Sequence, residues 1–120
     1  MDSDSITERI IGSAFTVSNT LGIVFLEKVY ENALAYELRK TGLNVQQQFP
    51  VKVRYEGVIV GDYVADILVE DAAVVELKAV KAIDPIHEAQ LLNYLKATGF
   101  KVGLILNFGT AHLGIKRMVY

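Results

Sequence analysis

With 120 residues, 52% of them hydrophobic and 22% charged, the chain fits one globular domain with a modest core, not a disordered tail. The absence of cysteine excludes disulfides, a thiolate zinc site, a cysteine nucleophile and an iron–sulfur cluster, so any metal must take oxygen or imidazole ligands. A formal charge of −2 is mildly adverse to phosphate binding, which Lys and Arg drive, although acids gathered at a metal would lower the net charge without preventing a local basic rim.

No apolar run approaches the length of a membrane span, and the opening Met1-Asp2-Ser3-Asp4-Ser5 is acidic, without the basic and apolar regions of a secretory signal. A cytoplasmic protein with no membrane partner is expected. Ser5-Ile6-Thr7-Glu8 has the form of a capping box, and Ile6, Ile10, Ala14, Val17 and Leu21 recur at helical spacing, which predicts a first helix ending near Gly22. A second helix is predicted from about Phe25 to Lys40, stopped by Gly42. Leu26, Val29, Tyr30, Ala33, Leu34 and Leu38 form its buried stripe, and Glu27 lies on the flank of that stripe.

From Val45 the period becomes strand-like. Val45 to Tyr55 and Val58 to Val69 predict a hairpin about Glu56-Gly57, and Pro50 makes the first strand irregular or an edge there. After the tight Glu70-Asp71-Ala72 connection, Val74 to Val80 predicts a buried strand antiparallel to the second. Asp84-Pro85 opens a third helix to about Thr98, closed by Gly99. Lys101 to Phe108 predicts a further buried strand and Gly114 to Tyr120 a last one, after a turn around Gly109. The order helix, helix, three strands, helix, strand, strand implies an α/β (α+β) domain: one mixed sheet flanked by helices, with a parallel crossover through the third helix to Val102.

Two charges interrupt the third strand. Alternation puts Glu76 and Lys78 on one face with Val74 and Val80, and Val75, Leu77 and Ala79 on the other, while Asp66 comes beside the charged pair across the turn. Taken singly, these charges also fit a solvated edge face with a weak surface pair. In the third helix Gln90 and Tyr94 share a face, with His87 a turn earlier, an arrangement that also occurs as ordinary decoration of a helix border.

Taken in order, Asp66, then Glu76-Leu77-Lys78, then Gln90-Leu91-Leu92-Asn93-Tyr94 resemble the signature of the PD-(D/E)XK nuclease superfamily in its RecB-like form with a Gln-x-x-x-Tyr motif. From the first helix to the last residue the chain is similar to the GxxExxY family of that superfamily. Leu21 to Leu34 matches the naming motif at Glu27 and Tyr30, and Tyr63 to Asp66, Val75 to Ala79, Gln90 to Leu95 and Gly103 to Gly109 also look like that family. Val24 stands where the motif has its glycine, which replaces a residue able to take a special turn.

The resemblance implies a restriction-endonuclease-like fold in one domain and a metal-dependent nuclease that hydrolyses phosphodiester bonds in DNA, with RNA as the other candidate substrate. It implies Mg2+ (or Mn2+) on Asp66 and Glu76, with the Leu77 backbone carbonyl as a third oxygen and Glu27 as an outer or additional ligand. Lys78 would orient or help deprotonate the attacking water and stabilise the transition state, and Gln90 and Tyr94 would position Lys78 or the phosphate. Glu27, Asp66, Glu76, Lys78, Gln90 and Tyr94 are thus the implied catalytic set.

Lys52, Arg54, Lys81, Lys101, Lys116 and Arg117 are candidates for a basic rim. His87 and His112 have no metal-ligand spacing, and Ser13 and Ser18 have no nearby base, so none is read as catalytic. The alternative function is a catalytically weak or inactive nuclease-fold module that binds nucleic acid or protein. So small a domain offers little surface to enclose a duplex, which makes a homodimer one candidate assembly beside the monomer.

Overall fold

In the computed structural model, which describes residues 1–120, two apolar helix stripes meet one face of a five-stranded sheet. Helix α1 (Ser3–Leu21) buries Ile6, Ile10, Ala14 and Val17, and α2 (Glu27–Lys40) buries Tyr30, Leu34, Ala35 and Leu38. The cap of α1 is Asp2, whose carboxylate accepts the Ser5 N–H at 2.8 Å, and not the expected box from Ser5 to Glu8. An acid one turn upstream takes the free amide first.

Helix α2 begins at Glu27, later than its apolar pattern suggests. The reason is the Tyr30 hydroxyl, which donates to the Gly22 carbonyl at 2.5 Å and accepts the Phe25 N–H at 3.2 Å, holding the chain before Glu27 as a loop. Leu26 and Val29 therefore lie on the surface instead of in the buried stripe.

Strands β1 (Val45–Tyr55), β2 (Val58–Val69) and β3 (Ala73–Lys78) form the predicted antiparallel meander, and α3 (Pro85–Thr98) leads to β4 (Val102–Asn107) and β5 (Gly114–Val119). The two-residue turn Glu56-Gly57 takes positive φ at both residues, the twist that suits such a hairpin, and Glu70 and Asp71 of the three-residue connection Glu70-Asp71-Ala72 do the same. The sheet order is β1-β2-β3-β4-β5, antiparallel except for the β3–β4 pair, which is parallel as the crossover through α3 requires. Helix α3 covers the opposite face, packing Leu91, Tyr94 and Leu95 on Leu68, Val74 and Ile105. No helix is long and apolar enough to cross a membrane.

Strand β3 stops at Lys78, short of Val80. The Asn107 side chain takes both backbone groups of Val80, accepting its N–H at 3.0 Å and donating to its carbonyl at 2.9 Å, which replaces a further ladder step.

The β1–β2 hairpin also departs from strict alternation. Ile67 and Val69 pack in the α1–α2 core, yet Ala65 packs in the α3 core; likewise Val45 lies with the former, Phe49 and Val51 with the latter. The change of face falls at Gln48, which has φ 55°, and at Asp66, which lies opposite it in the register. Asp66 therefore sits where the regular ladder is interrupted.

Candidate active site

The β2–β3 ladder ends at the pair Ile67 and Val75, and the next residues across the strands are Asp66 and Glu76. Side chains there replace backbone pairing. The Asp66 N–H donates to Glu76 Oε1 at 3.0 Å, and the Leu77 N–H donates to Asp66 Oδ2 at 2.9 Å. Each carboxylate is thus fastened to the other's strand, and both converge on one gap in the sheet. The N–H and C=O of a paired strand residue leave the same edge, so the Leu77 carbonyl faces this gap as well.

The gap is short of positive charge. Glu76 is only 5% exposed, and burial, then the charge of Asp66, push its carboxyl up to about 8 from the ordinary 4.5. Asp66 is raised too, by burial first and then by the charges of Glu31 and Glu27; the Leu77 N–H and the Lys78 ammonium oppose the rise. A buried carboxylate, a half-buried one and a carbonyl are the hard oxygen donors that Mg2+ or Mn2+ takes, and a divalent ion between them would favour the ionised forms that burial and neighbouring negative charge disfavour. The donor set fits such an ion. No group of three carboxylates or imidazoles is close enough to hold a metal unaided, so the remaining ligands would be the carbonyl and water.

Lys78 follows on the same face of β3 and acts on both acids through space, but takes part in none of the chain's ion pairs. Its ammonium is available to a phosphate or a water. Gln90 donates to the Tyr94 hydroxyl at 3.0 Å, and burial, followed by the charges of Glu76 and Asp66, pushes that hydroxyl up to about 12. The pair therefore borders the acids, and neither member is hydrogen-bonded to Lys78. Glu27, the first residue of α2, is exposed and lies near enough to repel both acids without joining them in a ligand cluster.

Sequence reasoning misses Glu31. It is 3% exposed and accepts hydrogen bonds from Lys28 at 3.1 Å, Gln47 at 2.7 Å and Gln48 at 2.8 Å. Consecutive strand residues ordinarily face opposite ways, and the positive φ of Gln48 lets both glutamines reach the same carboxylate. The only hint in the sequence is its place one turn after Glu27.

Tyr30 of the naming motif is a structural residue, stacked on Phe108 with ring centroids 4.7 Å apart and pinning the loop before Glu27. The positive φ of that loop belongs to Gly22, and Val24 is 80% exposed with no special backbone, so its side chain disturbs nothing. His87 caps α3, its Nδ1 accepting the Asp84 N–H at 3.1 Å, and His112 is exposed.

The basic candidates separate. Lys116 pairs with Glu88 at 3.4 Å and Arg117 with Asp4 at 2.9 Å, whereas Lys52 and Arg54, together with Lys96 of α3, line a groove of about 620 Å³ that Tyr94 also borders.

A family model described as the PD-(D/E)XK nuclease superfamily matches residues 4–118. The crystal structure of SSO0001 is similar to 77% of this chain, with a TM-score of 0.58 and 18% identity, a likeness that concerns the fold alone. This chain spans about half, 48%, of the length of that one. No curated protein matches the sequence.

Proposed function

The chain belongs to the PD-(D/E)XK nuclease superfamily, and from that premise we propose that it is a metal-dependent nuclease that hydrolyses phosphodiester bonds in DNA, with RNA as the second candidate. The observation that carries the reading is the break in the β2–β3 ladder, where Asp66 and Glu76 meet. The order of Glu27, Asp66, Glu76, Lys78, Gln90 and Tyr94 further supports membership of the GxxExxY branch with its Gln-x-x-x-Tyr motif.

Mg2+ or Mn2+, when bound, supplies an activated water and a Lewis acid for the phosphoryl oxygens. Asp66, Glu76 and the Leu77 carbonyl would hold it. Lys78 donates to a non-bridging oxygen or to the attacking water, where negative charge grows in the transition state. Tyr94 is kept protonated, so its hydroxyl serves as a donor to phosphate, and Gln90 fixes its direction. Glu27, exposed at the mouth, acts on the outer waters of the site.

Purified protein is incubated with single- and double-stranded DNA and RNA, with and without magnesium or manganese. Metal-dependent cleavage is expected, reduced at least about a hundredfold in Lys78→Ala. Cleavage no greater than that variant's would sink the proposal.

The runner-up, a binding module with weak or no turnover, is motivated by the small size and acidic balance of the chain. Salt-sensitive nucleic-acid binding that survives Asp66→Ala, with no metal uptake by calorimetry, would decide for it.

We also propose a homodimer through the far end of the β1–β2 hairpin, where Tyr55, Val58, Ile59 and Val60 are all exposed. Light scattering is expected to give a dimer that Val58→Lys with Val60→Lys converts to monomer; a wild-type monomer at every concentration removes the idea.

A further inference from the structure

We propose that the groove between the outer half of the β1–β2 hairpin and the C-terminal half of α3 binds a single unpaired strand of nucleic acid and leads it to the carboxylate gap. The inference rests on the nuclease reading for the destination of the strand, and on the groove itself for the binding.

The walls are cationic. Lys52 and Arg54 stand on the hairpin side and Lys96 on the helix side, with Asn93 and no acidic residue among the lining. Lys52 is partly engaged by Asp62 at 2.7 Å, but Arg54 and Lys96 form no ion pair, so their charges are free for phosphates.

The groove also carries an aromatic platform. Tyr63 is 49% exposed, and its ring lies 6.0 Å from that of Tyr94, which is itself close enough to Glu76 and Asp66 to feel both charges. A strand stacked on Tyr63 therefore has its next phosphate directed toward the acids. Free cations beside a half-exposed ring are the combination by which proteins hold single strands without reading sequence.

Size selects the ligand form. A volume of about 620 Å³ suits one or two nucleotides, within the range of pockets that enclose small ligands. A duplex, whose major groove alone is about 12 Å wide, can lie across such a groove but cannot enter it.

Fluorescence anisotropy in metal-free buffer, where no cleavage occurs, tests the assignment with labelled oligothymidylate, oligouridylate and a blunt duplex. The single strands are expected to bind more tightly than the duplex, and the two homopolymers compare a DNA strand with an RNA strand. Tyr63→Leu should weaken single-strand binding roughly five- to a hundredfold, and Tyr63→Trp should restore it. Arg54→Ala with Lys96→Ala should flatten the salt dependence by about 0.7 in log–log slope for each phosphate that the protein no longer neutralises. Duplex binding as tight as single-strand binding, or unchanged affinity in the Tyr63→Leu and double variants, would overturn the proposal. Metal-dependent cleavage is measured in parallel: wild-type cleavage alongside unaffected groove variants refutes the groove alone, and groove binding without wild-type cleavage refutes the nuclease reading alone.

Discussion

Glu76→Gln is expected to slow metal-dependent cleavage severely and, at the same time, to stabilise the metal-free protein at neutral and alkaline pH. The side chain is nearly inaccessible and faces a second acid, so its ionised form is disfavoured by burial and by Asp66. Between the unfolded value of 4.5 and the folded value of about 8, the native state holds a proton that the unfolded state has released. Stability must then fall as pH rises through that window, and Asp66, raised in the same direction, adds to the slope. The two acids titrate as a pair, so the measured midpoints belong to the pair. Glutamine removes the titrating carboxyl, yet its carbonyl oxygen still accepts the Asp66 N–H, so the packing and the hydrogen bond survive.

The loss of function follows from the same change. A neutral amide is a poor partner for a divalent ion, and cleavage should drop on the order of a hundred- to a thousandfold. Thermal unfolding from pH 4.5 to 8 with and without magnesium separates the two effects. Wild-type stability should decline with pH in metal-free buffer and recover with the ion, since a ligand of the native state shifts unfolding by mass action. The Gln variant should show a flatter profile and little response to magnesium. Such a contrast would mark the gap as a place where function is kept at a cost in stability. A flat wild-type profile, or a variant that still cuts at the wild-type rate, would refute that account.

Much of the fold was readable because local chemistry agreed with the tertiary structure. The meander from Val45 to Val69 has its predicted ends, since Glu56-Gly57 is a turn sequence between alternating strands, and Asp84-Pro85 opens α3 where an acidic cap and a proline place it. Asp66 and Glu76 were legible as neighbours because the short connection Glu70-Asp71-Ala72 pairs Val69 with Ala73 and so sets Asp66 across from Glu76. What could not be read depends on distant partners. Asn107 ends β3 by holding Val80 from another strand, and Tyr30 delays α2 by holding Gly22 and Phe25. The change of face at Gln48 and Asp66 is invisible to a pattern of period two, although it interrupts the ladder where the carboxylates sit. Lys96 reads as one more surface lysine until α3 is set beside the hairpin, where it joins Lys52 and Arg54. Charges are legible in kind and illegible in company.

The other large effect is expected at the exit of β3, at Gly109. A β-carbon there would fall well inside van der Waals contact of the Val80 nitrogen and oxygen and lie 2.6 Å from the Ala79 carbonyl carbon. All three are backbone atoms, which cannot swing aside as a side-chain tip would. The segments must separate, and the bonds at risk are partly buried ones: the two between Asn107 and Val80, the Gly109 N–H to Asn107 Oδ1 at 3.0 Å, and the Phe108 N–H to the Lys78 carbonyl at 2.8 Å. Each polar group left unpaired costs about 1–3 kcal/mol, so Gly109→Ala should lose about 4 kcal/mol or more and lower Tm by at least about 10 °C. Gly12→Ala is the control. Its new methyl group meets nothing within 4 Å on an exposed position of α1, and helix propensity should make it neutral to about 1 kcal/mol stabilising. Thermal unfolding of both variants decides the point, and equal Tm values would show that the β3 exit does not depend on that close approach. Because Lys78 lies at the end of β3, a Gly109→Ala protein that remains folded at low temperature should also cut more slowly, through a displaced ammonium and not through any loss of the acids.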